Sequence, residues 1–417
     1  MKLIIITAHY PFERGEEWLH DELRIAKEYV SDIVIITTTK GRDNNGYIPY
    51  IPENCSVIHP RRSRIEMKYF IPALLNLISK RTFKEIFFAR YQMGEKNIIE
   101  CIRQIFTCYY INNAIFSALE KSSSNIDKAI LYSYWLFSSA FPLVEFKKRH
   151  PNVLCISRAH GGDCFIERGY QAFRREIVAS IDEIFSISQA GKHNLETRLF
   201  PLVHSHASHV TVSRLGVTKS DTIFNPPSAD TVFHVVSCSA VIPLKRLDLL
   251  IDALTKIEGM QIKWTHFGDG AIIGPIRKLA HVKLDRLNNV SYQFMGNQPK
   301  ERILNFYRTE HIDLFINCSD SEGIPVSIME AFSYGIPAVA RDVGGNSEIV
   351  NDVNGYLLSA HSSADEIAAS IQCFVRLSQE DKSKKSAAAY QTYHELYDAE
   401  RNYRSFYSYL LDRFRER

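Results

Sequence analysis

Residues 317–355 read NCSDSEGIPVSIMEAFSYGIPAVARDVGGNSEIVNDVNG. The run Leu314–Asn317 that leads into them is short, apolar and suited to a buried strand. Ser319, Ser321, Glu322 and Gly323 then read as a loop, and Pro325 takes the favoured first position of a helix. Gly335 suits the left-handed residue that ends a helix, and Pro337 blocks its continuation. Residues 338–340 read as the next strand. Strand, loop, helix and strand in close succession build a parallel sheet. Ligands in such sheets bind beyond the carboxyl ends of the strands. The amides of Gly323, Ile324, Val326 and Ser327 would face that crevice, where a helix start favours an anion such as a diphosphate.

Two carboxylates frame this anion site: Glu322 on the loop and Glu330 inside the helix. A carboxylate beside a phosphate is repelled unless polar partners hold it, and sugar or ribose hydroxyls supply such partners in a bidentate fork. Taken singly, Glu322 is an exposed loop acid and Glu330 a locally paired one. Gly323, Pro325, Gly335, Pro337, Gly344 and Gly345 in the same register favour the ligand reading.

Outward from this stretch, strands alternate with helical patterns. Residues 3–7, 33–36, 129–133, 153–157 and 183–187 read as strands, and 16–28 as a helix. Further on, residues 232–237 and 261–268 read as strands and 247–257 as a helix. Two α/β domains follow, with the join near 213–220, before the polar, proline-rich residues 222–230. Boundaries of 1–215 and 216–390 are expected, with a helical tail at 391–417 that crosses back to the first domain.

Composition narrows the class. Hydrophobic residues make up 45% and charged residues 23% of the 417, which excludes a disordered chain. A formal net charge of +3 gives no sign of a nucleic-acid binder. The eight cysteines form no CxxC pair and read as reduced thiols of a cytoplasmic protein. The apolar run at 3–7 is too short for a leader, and the uncharged stretch 129–144 is too short to span a bilayer. One segment stands apart in charge. Residues 61–90 hold eight basic side chains against Glu66 and Glu85, interleaved with apolar ones such as Phe83 and Phe87. Such a segment suits either an anionic membrane surface or an ordinary helical excursion with a solvated basic face.

The segment SEGIPVSIMEAFSYGIPAVARDVGGNSEIV resembles the donor-binding signature of family 4 retaining glycosyltransferases, whose fold is GT-B. Residues 235–254, with Lys245, are similar to that family's phosphate-binding loop and helix. His266–Gly270 (HFGDG) and Phe294–Gly296 are similar to its next two strand ends. In the first half, Arg158–Asp163 (RAHGGD) resembles its histidine loop, and residues 11–18 with Gly15 its glycine loop. The resemblance implies two Rossmann-like α/β domains facing a central cleft.

It also implies roles. Glu330 would hold ribose hydroxyls, Glu322 the donor sugar, and the backbone at Gly323, Ile324, Pro325 and Val326 the sugar and phosphate. Lys245 would neutralise the departing diphosphate, and His160 would contact the sugar. Gly268 and Gly296 would line the nucleotide site, and Gly15 would let its loop pass near phosphate and acceptor. Where the family often carries arginine, this chain has Ala240. Arg246 either replaces that charge, with a guanidinium suited to phosphate, or faces solvent.

The implied reaction moves a hexose-type sugar from a nucleotide-diphosphate donor to a hydroxyl of a glycan or lipid-linked glycan. Configuration is retained, neither metal nor cofactor is needed, and surface-polysaccharide synthesis is the expected context. The protein would be cytoplasmic, or peripheral on the inner membrane face. The alternatives are an inactive nucleotide-sugar-binding partner and a GT-B epimerase. A phosphorylase would need a cofactor lysine site that the sequence does not show. A nicotinamide dehydrogenase is excluded because residues 7–15, TAHYPFERG, lack the GxGxxG turn.

Overall fold

The fold was obtained as a computed structural model, which describes residues 1–13, 15–39, 50–60, 67–122, 128–166, 169–205, 209–218 and 232–416. The first six residues of the basic segment and the proline-rich stretch at 222–230 lie outside them. The chain divides into two compact units, one of residues 1–214 and 400–417, the other of residues 215–399.

The first unit is built on a seven-stranded sheet. Its strands are β1 (Lys2–Thr7), β2 (Asp32–Thr37), β3 (Cys55–Ile58), β4 (Ala129–Ser133), β5 (Leu154–Ala159), β6 (Glu183–Ser186) and β7 (His209–Val212). They lie in the order β3-β2-β1-β4-β5-β6-β7, every pair parallel. Ile4 of β1 pairs with Val34 on one side and Leu131 on the other. Helices cover both faces, so β1, β2 and β4 carry unbroken apolar runs instead of an alternating pattern.

The second unit holds β8 (Val232–Cys238), β9 (Gln261–Phe267), β10 (Val290–Phe294), β11 (Leu314–Asn317), β12 (Ala338–Arg341) and β13 (Gly355–Leu358). Their order is β10-β9-β8-β11-β12-β13, again all parallel. Each sheet reverses its strand order once, between β1 and β4 and between β8 and β11. Such reversals open a crevice at the carboxyl ends of the strands.

Three sequence expectations are corrected. The first helix runs Leu19–Tyr29, later than expected, because Glu16 is drawn into the loop before it. Pro325 precedes the helix Val326–Ser333, with an extended ψ of 115°, and is not its first residue. The helical tail is broken. Gln379–Thr392 runs into a π-helical turn at Tyr393–Tyr397, the chain extends at Asp398, and a new helix spans Ala399–Arg415. This last helix joins the first unit, where the Tyr407 hydroxyl donates to Glu22 Oε1 at 3.1 Å.

Candidate active site

The second unit's crevice gathers the carboxyl ends of β8 and β11. Asn317 closes β11, and the chain then turns through Ser319 and Glu322 toward the helix Val326–Ser333. Glu322 is buried at 7% exposure, yet its carboxylate is well held. Oε1 accepts from Lys245 Nζ at 2.6 Å, Ser319 Oγ at 2.6 Å and Asn317 Nδ2 at 3.1 Å. Lys245 ends the short turn Pro243–Lys245 that follows β8. Residues 77 positions apart in the chain thus form one charge pair at the point of reversal.

The loop's path depends on the glycine pair behind it. Gly344 has φ +58°, and a Cβ there would lie 1.8 Å from the Glu322 carbonyl oxygen. Only glycine permits that approach. The Gly345 N–H donates to the Gly323 oxygen at 2.7 Å, which ties the two loops together. No side-chain cap closes the start of the helix Val326–Ser333. Its first-turn N–H groups therefore keep the anion-binding character of a helix terminus. One turn in, Glu330 is buried at 9% exposure, and Lys300 Nζ stands 4.0 Å from its Oε1.

Gly268 and Gly296 meet at the ends of β9 and β10, where the Gly268 N–H donates to the Gly296 oxygen at 2.9 Å. A Cβ at Gly268 would strike the Ser239 oxygen just beyond β8. Below this rim, Ser237 Oγ bonds His266 Nδ1 and accepts from Trp264 Nε1, each at 2.9 Å. Burial holds the His266 imidazole near pKa 4, so it is neutral.

Arg246 is paired with two aspartates instead of Glu322. It lies in the left-handed region at φ 50°, and its guanidinium bonds Asp248 and Asp320. It lines a separate cavity of about 570 Å³ with Arg341 and His361. The buried Arg341 spans the loop beneath, reaching the Cys318 and Ala360 oxygens and Asp320.

In the first unit, His160 and Gly15 lie in the loops that follow β5 and β1. His160 Nε2 donates to the Tyr134 carbonyl oxygen at 3.0 Å, and its ring packs against Trp18 and Trp135. Burial, reinforced by Arg158, lowers its pKa to about 3 and keeps the ring neutral. The His160 N–H donates to Asp163 Oδ2 at 2.9 Å. Burial in turn raises the Asp163 pKa to about 7. Gly15, at φ +119°, stands beside Glu16. That buried carboxylate accepts the N–H groups of Ala8, His9 and Tyr10 and the indole N–H of Trp135. The N–H groups of residues 8–10, just ahead of the glycine loop, are thus satisfied within the protein.

Sequence reasoning missed Asn317, Lys300, Glu16 and Trp135. Asn317 opens the stretch 317–355 and Glu16 lies in the glycine loop at 11–18, but neither was given a role there, and Lys300 lies just beyond Gly296. Trp135 is 119 residues from Glu16, so their contact had no local signal.

Residues 219–392 match the family described as Glycosyl transferases group 1. The O-antigen biosynthesis glycosyltransferase WbnH of Escherichia coli is 36% identical over 225 residues, 52% of this chain and 57% of that protein. Amylovoran biosynthesis glycosyltransferase AmsK of Erwinia amylovora is 27% identical over 236 residues, 54% of this chain and 53% of that protein. The matched stretches of other curated relatives span 24% to 64% of those proteins. A crystal structure of Anabaena HepE with UDP and glucose superposes over 99% of this chain and 100% of that one, with a TM-score of 0.68 at 15% identity. The fold is GT-B.

Proposed function

We propose that the protein is a glycosyltransferase that moves a hexose-type sugar from a nucleotide-diphosphate donor to a hydroxyl of a glycan or lipid-linked glycan. The pairing of Lys245 with Glu322 at the second unit's strand reversal carries this reading. An ammonium beside an uncapped helix start suits a diphosphate, and a buried carboxylate suits sugar hydroxyls. Glu330, one turn into the same helix, is assigned to the ribose hydroxyls. Family similarity over residues 219–392 supports the assignment.

The bond from the anomeric carbon to the β-phosphate oxygen breaks, and a bond from that carbon to the acceptor oxygen forms on the same face. The acceptor's proton passes to the departing diphosphate, so configuration is retained. Lys245 and the helix amides stabilise the developing phosphate charge, while Glu322 orients the sugar and offsets its oxocarbenium character. Arg246, held by Asp248 and Asp320, is assigned to shaping the loop and not to the diphosphate. His160, neutral and fixed, is assigned to the donor sugar. No metal is required in this scheme. Surface-polysaccharide assembly is the proposed setting, as the names of the O-antigen and amylovoran relatives suggest.

The test is donor turnover. Purified protein supplied with a panel of nucleotide-diphosphate sugars should release the nucleoside diphosphate from one of them, slowly to water and faster with a glycan acceptor. Release from none of them, with or without acceptors, would sink the reading.

A further inference from the structure

Among the described residues, fourteen large apolar side chains are exposed, and ten of them lie between Met67 and Ile102. This stretch comprises the helices Met67–Asn76 and Lys80–Tyr91 and the first turns of Ile98–Ser122. Met67, Ile71, Leu74, Leu75 and Ile78 recur at helical spacing, as do Phe83, Phe87 and Tyr91. Ile78 is 75% and Ile99 81% exposed, values that a lone surface residue would not make notable but a contiguous group does.

Charge on the same helices is sorted. Lys68, Lys80, Lys84 and Arg90 are exposed among the apolar residues. The acid of these two helices, Glu85, turns inward, accepting from the Tyr170 hydroxyl at 2.9 Å and the Phe173 N–H at 2.8 Å. Arg81 also turns inward, to Glu145 and Glu176 at 2.7 and 2.5 Å. The inner face packs Tyr69, Ala73 and Ala89 into the core and pairs Arg81 and Glu85 there, and the outer face of these two helices is apolar and cationic.

We infer that this outer face docks on an anionic lipid surface, its apolar side chains entering the headgroup boundary while its lysines and arginine meet lipid phosphates. Charge complementarity selects the occupant. Apolar side chains interleaved with cations, with the helices' one described acid withdrawn, suit a sheet of uniform negative charge. Exposed Tyr91, Ile99 and Ile102 extend the apolar surface beyond residue 90, but Glu95 and the Glu100–Arg103 ion pair lie among them, so the cationic part of the face is the two helices. It does not depend on the donor site, so lipid binding and donor turnover can fail separately.

The test is co-sedimentation of the full chain with vesicles of phosphatidylcholine alone and of phosphatidylcholine mixed with phosphatidylglycerol. Binding to the mixed vesicles alone, weakened by salt, is expected. Reversal of two cations in Lys80→Glu/Lys84→Glu should reduce partitioning by about tenfold or more. Ile78→Ser/Phe87→Ser should reduce it at low salt as well, with an unchanged melting temperature showing that the fold is intact. Binding to neither vesicle, binding that survives both variants, or a concentration-dependent dimer abolished by Ile78→Ser/Phe87→Ser would overturn the inference.

Discussion

Lys245 Nζ lies 2.6 Å from Glu322 Oε1, an ion pair formed by the two residues assigned to opposite ends of the donor's scissile bond. The ammonium and carboxylate pair with each other here, so under the proposed function an incoming diphosphate would compete with Glu322 for Lys245. Glu322→Gln removes the competitor while retaining a side chain that Ser319 and Asn317 can hold. Nucleoside-diphosphate affinity in that variant should match or exceed the wild type, while turnover falls by roughly 100-fold. Lys245→Met should act in the reverse sense, weakening diphosphate binding by about 10–100-fold. Calorimetry alongside donor hydrolysis separates the two, and parallel losses in both variants would refute the division of labour.

Gly344 tests the loop geometry without touching a charged group. A Cβ there meets the Glu322 carbonyl oxygen at 1.8 Å, in a backbone region that L side chains rarely adopt. Gly344→Ala should cost about 1–3 kcal/mol in backbone strain alone and displace Glu322. A lowered melting temperature with disproportionate loss of turnover is expected. An unaffected variant would show that the loop is not held as described.

Two groups of the first unit respond to acid with opposite signs. The His160 pKa is lowered from 6.5 to about 3, so between these values the unfolded chain binds a proton that the folded state refuses. Stability from this group is complete above pH 6.5 and declines as pH falls. Asp163 has the opposite sign. Its pKa is raised from 3.8 to about 7, so the folded state gains stability as pH falls through that window. His160→Gln should therefore flatten the loss of melting temperature on acidification, and Asp163→Asn should steepen it. Identical pH profiles in all three proteins would contradict both assignments.

Chelation gives a further check. Turnover in the presence of EDTA should equal that in its absence, since Lys245 and the helix amides carry the phosphate charge in the proposed scheme. A loss restored by magnesium or manganese would require a metal in the reaction.

The legible parts of the molecule were those in which neighbouring residues carry the information. Leu314–Asn317 was bounded correctly because a buried parallel strand is a continuous apolar run, and Gly335 marked the helix end through its positive φ. The strand Gly355–Leu358 went unread because it is short and half-buried, and Cys55–Ile58 and His209–Val212 at the edges of the first sheet for the same reason. Pro325 was displaced by one position, since proline suits both the residue before a helix and its first residue. The two carboxylates and Lys245 were found by motif, but their mutual distance was not in the motif. The loop scaffold at Glu16 was invisible because its partners are backbone amides and an indole distant in sequence. In the basic segment, composition counted Arg81 with the surface cations, whereas packing turns it inward to Glu145 and Glu176.

The central claim is that the second unit binds a nucleoside diphosphate through Glu330 and Lys245. Thermal shift with UDP, GDP, ADP, CMP and dTDP, with NAD as control, on wild type and Glu330→Ala tests it most directly, since a ligand of the native state raises its stability. The account predicts a clear rise with one diphosphate, lost in Glu330→Ala. A rise with NAD alone, or an equal rise in the variant, would contradict it.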